Sequence, residues 1–193
     1  ISGGVKIHLE KHIPIAAGMA GGSTDAAATL KGMNRLFDLG CTLKDLMELG
    51  VKIGAAVPYC VMGGTALAEG IGEKLTPLAR APDCYVLVAK PDINVSTKYV
   101  HEHLDAQEIV KHPDIDGMVE AIAEESLQGI LDRMENVLET VTVSAYPIIQ
   151  TIKDRMKELG AINSLMSGSG PTVFGIFVEK DMARRAYDKL EEE

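Results

Sequence analysis

The chain has 193 residues, of which 46% are hydrophobic and 24% are charged, which is enough apolar sequence for one sizeable core or two small ones. Its net charge of −9 argues against nucleic acid or an anionic membrane as a partner, because either would favour a basic face. The 3 cysteines are widely spaced, so neither a disulfide framework nor a zinc site is predicted. No apolar run reaches the roughly 20 residues of a membrane span. We expect a cytoplasmic protein, and the sequence does not predict its oligomeric state.

The first predicted unit is a strand, a glycine loop and a helix. Residues 5–9 alternate apolar and polar side chains, which predicts a half-buried strand. Because this strand is already under way and no initiator Met precedes it, we expect the chain to begin inside a longer protein. The cluster Ser-Thr-Asp at 23–25 predicts the helix N-terminus, and apolar residues at helical spacing then run to Gly40.

Further elements are predicted up to a domain boundary at residues 80–83. Thr42 and Asp45 have the spacing of a capping box, so a second helix is predicted from there to Gly54, with an apolar stripe that includes Leu43 and Ile53. Residues beyond it predict a strand over 59–69 with Gly63-Gly64 as a bulge or a close approach, a tight turn at 70–72, and a short strand around Lys74 and Leu75.

The second half predicts a mixture of helices and antiparallel strands. The fold class is therefore α+β in two layers. The predicted elements are a buried strand over 84–89, a helix capped by Ser96 or Thr97, helical residues 116–134, a helix from Pro147 to Gly160, strands over 165–167 and 172–178, and a last helix from Asp181.

The glycine loop that precedes the first helix is the segment most suggestive of chemistry. It lacks the Gly-Lys-Ser/Thr of a Walker A loop and the G-x-G-x-x-G of dinucleotide folds. Small residues nevertheless let backbone approach an anion, and a helix N-terminus presents unpaired N–H groups to it. Ser23 and Thr24 add hydroxyl donors there. A tight strand-to-helix connection is the alternative, and Asp25 either faces away as a helix-start residue or helps to hold a metal ion.

Two segments resemble motifs of a known family. Residues 14–27 read P-I-A-A-G-M-A-G-G-S-T-D-A-A, which resembles the second motif of the GHMP kinases, and 166–174 read M-S-G-S-G-P-T-V-F, which resembles their third motif. The sequence G-G-T-A from Gly63 and the sequence E-G-I-G-E at 69–73 resemble those members that phosphorylate a cytidine-diphosphate-linked methylerythritol.

The resemblance implies a two-domain GHMP kinase fold, with the C-terminal part of a ribosomal-protein-S5-like nucleotide-binding domain over 1–80 and a ferredoxin-like domain over 81–193. It implies transfer of the ATP γ-phosphate, with Mg²⁺, to the 2-hydroxyl of that small-molecule substrate in the non-mevalonate isoprenoid pathway. The nucleotide phosphates would be held by Pro14, Ile15, Ala16, Ala17, Gly18, Met19, Ala20, Gly21, Gly22, Ser23 and Thr24. Ser23 is also the candidate metal ligand. The supporting motif would be Ser167, Gly168, Ser169 and Gly170, and both motifs are expected to line one crevice.

The substrate side is implied by fewer residues. By alignment, His101 stands where the family places an aromatic ring against the cytosine, and a surface histidine is the alternative. Gly54 and Ala55 belong to the loop in which the family carries its catalytic aspartate.

Two departures from the family pattern bear on activity. Ala56 stands where the family's catalytic Asp belongs, and the family's opening motif with its catalytic Lys is absent from this chain. Loss of a general base costs about 10²–10⁴-fold in rate. We therefore expect weak nucleotide binding and little turnover from the chain alone. Another GHMP small-molecule kinase, for homoserine, mevalonate or a galactose-type sugar, and a nucleotide-binding pseudokinase are the alternatives.

Overall fold

The structure, a computed structural model, describes residues 3–104 and 112–193. Its contacts divide the chain into two compact units between Ala79 and Arg80. The first unit contains the chain up to Ile15 and then Ala20–Ala79, whereas the short segment Ala16–Met19 packs with the second unit. Of the helices within the described ranges, none is both long and apolar enough to cross a membrane.

The first unit is built from helices and a two-stranded antiparallel hairpin. Its buried apolar cluster consists of Ala27, Leu46, Val57 and Val61. Its elements are α1 (Gly21–Leu36), α2 (Leu43–Val51), α3 (Val57–Met62), β1 (Ala66–Glu69) and β2 (Lys74–Pro77).

The capping box predicted for α2 is confirmed. The Thr42 hydroxyl accepts a hydrogen bond from the Asp45 N–H at 3.2 Å, and the Asp45 carboxylate accepts one from the Thr42 N–H at 2.7 Å. Hydrogen bonds from the Thr42 hydroxyl and N–H hold the pKa of the Asp45 carboxyl below its ordinary value. The apolar stripe is only partly right, because Leu43 and Ile53 are exposed.

Of the strand predictions in this unit, one is wrong and another is only partly right. Residues 5–9 form no regular secondary structure and belong to neither sheet, and Val5, Ile7 and Leu9 are 45%, 59% and 56% exposed. Alternation makes a half-buried strand only where a second strand supplies hydrogen bonds, and none does within the described ranges. The strand predicted over 59–69 forms only at β1, because α3 occupies the residues before Gly63.

Proline explains the second error. Pro58 lies in the first turn of α3, where its fixed φ suits a helix and its missing N–H costs nothing. Gly63 and Gly64 then end the helix with φ of 72° and 77°, a conformation that favours glycine. Neither the predicted bulge nor a close approach is observed, since a Cβ on either glycine would meet no heavy atom within 4 Å among the described residues.

The second unit packs helices on a three-stranded antiparallel sheet in the order β3-β5-β4. Its core contains the fully buried Ile149, Met156, Val173 and Phe177. Its elements are β3 (Tyr85–Ala89), α4 (Thr97–His103), α5 (Ile115–Ala123), α6 (Leu127–Asp132), α7 (Glu139–Ala145), α8 (Ile148–Glu158), β4 (Asn163–Met166), β5 (Val173–Phe177) and α9 (Lys180–Glu191).

Most predictions for this unit are confirmed, and the α+β class with them. The helix after Pro147, the β4–β5 hairpin and the last helix form as expected, and Ser96 caps α4. Residues 116–134 are split between α5 and α6. The strand over 84–89 is less buried than predicted, because β3 is an edge strand in which only Leu87 is buried.

Candidate functional site

The two glycine motifs contact each other within the second unit. The Ser167 hydroxyl donates a hydrogen bond of 2.8 Å to the Gly18 carbonyl. Gly18 has φ of +71°, and a Cβ placed on it would lie 2.2 Å from the Ser167 carbonyl oxygen. Only glycine permits so close an approach of two backbones. The sequence expectation that the two motifs lie together is therefore met for Ala16–Met19.

The rest of the glycine loop lies at the N-terminus of α1. The helix begins at Gly21 rather than at Ser23, and its N-cap is Ala20, which has left-handed φ of 50° and no side-chain cap. The first N–H groups of a helix have no intrahelical carbonyl to bond, so this turn presents donors and a partial positive charge.

The Thr24 hydroxyl does not supply the donor that the sequence predicts. It donates to the Ala20 carbonyl at 3.1 Å and lies 3.6 Å from the Cys60 sulfur. Because its proton is used inside the helix, Thr24 is not available to an anion through its hydroxyl. Ser23, on the same turn, is half-buried.

Lys11 is a residue that the sequence analysis missed. Its ammonium pairs with Asp25, and a Cβ placed on Gly21 would lie 3.5 Å from its Nζ. The Lys11 and Asp25 side chains are 30% and 32% exposed, so this cation lies partly sheltered beside the N-terminus of α1. The sequence does set Lys11 apart, because it is the first charged residue in the series of odd-numbered positions that begins with Val5, Ile7 and Leu9.

The loop before α3 carries Ala56 at the N-cap position, exposed and without a side-chain cap. The turn of the β1–β2 hairpin approaches this loop closely, since a Cβ on Gly72 would lie 2.9 Å from the Ala55 carbonyl oxygen. Gly54 is half-buried and donates its N–H to the Gly50 carbonyl at 3.1 Å.

Glu73 stabilises the turn of the β1–β2 hairpin. Its carboxylate accepts a hydrogen bond from the Ile71 N–H at 2.7 Å. The backbone N–H groups of Glu73 itself and of Ile71 hold the pKa of the carboxyl below its ordinary value of 4.5. This contribution to stability is complete above that value and is lost as the pH falls through the lower pKa of the folded state.

His101 is exposed on α4 in the second unit. The ring contact on this helix joins two other residues, Tyr99 and His103, whose centroids are 3.9 Å apart with an interplanar angle of 31°. The His103 Nδ1 also lies 2.8 Å from the Tyr99 carbonyl oxygen.

Comparison with known proteins assigns the family. Residues 2–64 match the family described as GHMP kinases N terminal domain, and residues 118–193 match GHMP kinases C terminal. A protein of Clostridium botulinum named 4-diphosphocytidyl-2-C-methyl-D-erythritol kinase is 48% identical over 100% of this chain, which covers 69% of its length. The chain belongs to the GHMP kinase family. The expected two-domain GHMP kinase fold is thereby confirmed.

A second protein of the same name and a solved structure support this assignment. The one from Lachnospira eligens is 59% identical over 93% of this chain. A crystal structure titled 4-(cytidine 5'-diphospho)-2C-methyl-D-erythritol kinase superposes with a TM-score of 0.79 and 34% identity over 95% of this chain. The chain spans 62% of the length of the first of these proteins and 65% of the second.

Mg²⁺ would rely on the nucleotide for most of its ligands. Within residues 3–104 and 112–193, no three His, Cys, Asp or Glu side chains are grouped so that they could hold a metal ion. Mg²⁺ is usually bound through substrate phosphates with one or two protein oxygens. Of the candidate oxygens, the Asp25 carboxylate is engaged by Lys11, which leaves the Ser23 hydroxyl as the candidate ligand.

Thr172, which follows the third motif's glycines, supplies a stability prediction. It is 1% exposed, and among the residues that the structure describes its hydroxyl has no hydrogen-bond partner. We expect Thr172→Val to raise the free energy of unfolding by about 1 kcal/mol in urea denaturation, because it removes a buried polar group that nothing compensates. Thr172→Ser, which keeps the hydroxyl and loses the methyl group, should lower it by about 1 kcal/mol. A loss of stability in the valine variant would show that the hydroxyl has a partner.

Proposed function

We propose that this GHMP kinase transfers the γ-phosphate of ATP to the 2-hydroxyl of 4-diphosphocytidyl-2-C-methyl-D-erythritol, with Mg²⁺ as the accompanying ion. The substrate is taken from the names of the relatives that match nearly the whole chain. The observation that carries the proposal is the contact between the two glycine motifs, in which the Gly18 backbone lies directly against Ser167. A cytoplasmic location and the boundary between residues 80 and 81 are parts of the same proposal.

The phosphate-binding part of the proposal assigns the nucleotide to the loop from Pro14 to Thr24. Glycine and alanine leave room for phosphate oxygens to reach backbone N–H groups, and the α1 N-terminus adds a favourable dipole. Lys11 is the nearby cation, which matters in a chain whose net charge is −9. Mg²⁺ would neutralise charge on the transferring phosphate.

Lys11→Ala tests the contribution of this cation to nucleotide binding. In the complete encoded protein we expect the Kd for ATP, measured by calorimetry, to rise about tenfold, because one charge-assisted contact to phosphate is worth about 1.5–3 kcal/mol before screening. Lys6→Ala removes the same charge from the same N-terminal segment and should leave the Kd unchanged. Equal effects of the two variants would assign the change to net charge rather than to a contact.

The choice of substrate is tested with a panel of alcohols. ATP consumption is measured with 4-diphosphocytidyl-2-C-methyl-D-erythritol, homoserine and mevalonate, using the complete encoded protein with either Ala or Asp at position 56. Turnover that depends on the cytidine-diphosphate compound supports the proposal. Turnover of another alcohol with none of this compound would assign the chain to a different GHMP kinase.

A nucleotide-binding protein without turnover is the second candidate, and Ala56 is the observation that favours it. Its exposed methyl group can neither accept a proton nor orient a hydroxyl. Under this alternative, the natural protein binds ATP and consumes none of it with any alcohol in the panel.

A further inference from the structure

Asn136 lies just before α7 and contacts the backbone of the third motif. Its Nδ2 donates to the carbonyl of Met166 at 2.9 Å and to that of Gly168 at 2.8 Å. Its Oδ1 accepts from the N–H of Leu138 at 3.0 Å. A single amide therefore holds the start of α7 with its acceptor and the glycine motif with its donor.

Two further side chains of α7 hold the same motif. Glu139 accepts a hydrogen bond from the Met166 N–H at 2.8 Å, and its other oxygen pairs with Lys153, whose side chain is 9% exposed. The Thr142 hydroxyl donates to the Ser169 carbonyl at 3.2 Å. The backbone of Met166, Gly168 and Ser169 is thus bonded to α7 or to Asn136 just before it.

These bonds matter because the motif itself is rich in glycine. Gly168 and Gly170 have φ of 57° and 84°, and such residues lose more conformational freedom on folding than others. Contacts from a packed helix restrict the loop to one conformation. In that conformation the Ser167 hydroxyl reaches the Gly18 carbonyl.

We propose that Asn136 is a positioning residue for nucleotide binding. It fixes the carbonyls of Met166 and Gly168, so that Ser167 between them is held where its hydroxyl orients the backbone of residues 16–19. Asn136 acts through this loop rather than on the nucleotide. The inference rests on the proposed role of residues 14–24 in holding phosphates.

Asn136→Asp is the variant that isolates this role. Aspartate has nearly the same shape and still accepts from the Leu138 N–H, so the start of α7 keeps its bond. It turns a carboxylate oxygen towards two carbonyl oxygens in place of the shared donor, which leaves both carbonyls unpaired and adds repulsion. We expect the Kd of the complete encoded protein for ATP to rise tenfold or more. Asn94→Asp, at an exposed position of the same unit, adds the same charge and should change the Kd less than about twofold.

Amide hydrogen exchange on the same variants separates this inference from the proposed function. Exchange should become faster at residues 167–170 and at 16–19 in Asn136→Asp and stay unchanged in Asn94→Asp. The positioning role would be overturned if Asn136→Asp left the Kd for ATP unchanged, even with a lowered Tm. It would also be overturned if the Kd rose while exchange at 16–19 stayed unchanged. If the unmodified protein binds no ATP, the proposed function fails by itself, and the exchange rates at 16–19 still decide whether Asn136 controls that segment.

Discussion

Ala56→Asp is expected to raise the rate of phosphoryl transfer by the complete encoded protein about 10²–10⁴-fold, the usual contribution of a general base. Ala56 occupies the position at which the GHMP resemblance implies the catalytic aspartate, and it is exposed at the N-cap of α3. A carboxylate there lies at the positive end of a helix, which favours its ionised form, the form that accepts a proton. The measurement is ATP consumption with 4-diphosphocytidyl-2-C-methyl-D-erythritol and Mg²⁺.

Ala56→Asn is the matched control for this prediction. Asparagine has nearly the shape of aspartate and can cap a helix, but it is not a base. Both variants should change the free energy of unfolding by no more than about 0.5 kcal/mol, because Ala56 has φ of −87° and ψ of −5° rather than the extended angles of a good N-cap. Equal rates for the alanine, asparagine and aspartate forms would contradict the assignment of a lost base to this position.

Gly18→Ala should lower the free energy of unfolding by about 3 kcal/mol and weaken ATP binding at least tenfold. The methyl group would lie 2.2 Å from the Ser167 carbonyl oxygen and 3.0 Å from that of Gly170. Both neighbours are backbone atoms, so neither can turn away as a side chain would. The left-handed φ of +71° adds about 1–2 kcal/mol for a residue with a Cβ. Urea denaturation and calorimetric titration with ATP measure the two effects.

Gly32→Ala is the control for the change from glycine to alanine itself. Gly32 lies inside α1, and a Cβ there would have no heavy atom within 4 Å among the described residues outside its own helix. We expect this variant to be more stable by about 0.5–1 kcal/mol, since alanine is the better helix former. If Gly18→Ala were as stable as Gly32→Ala, the close backbone contact between the two motifs would not exist in solution.

Some contacts of the site join residues that are close in the sequence, and others join residues that are far apart. This difference decides which parts of the site can be predicted. Both glycine motifs are visible as short segments, because glycine at a close approach is a local requirement. The pairing of Lys11 with Asp25 is less visible, since the two residues are 14 positions apart, and the bonds from Asn136 to the third motif span 30 and 32 residues. An asparagine outside any recognised motif carries no local sign of what its amide will hold.

The sequence by itself determined the features that depend on a few neighbouring residues. The capping box at Thr42, the helix after Pro147 and the β4–β5 hairpin around residues 168–171 form as predicted, because caps, proline and glycine act over one turn of chain. The two motif segments also sufficed to indicate the GHMP family. In each of these cases the determining residues lie close together in the sequence.

Only the tertiary structure decided the remainder. Residues 5–9 have a strand pattern but pair with no strand in the described ranges, because a strand depends on a partner that its own residues do not specify. The Thr24 hydroxyl bonds its own helix rather than facing a ligand, and Asn136 holds a loop 30 residues away. The contact of Gly18 with Ser167 joins residues 149 apart, and such pairings arise only when the whole unit packs.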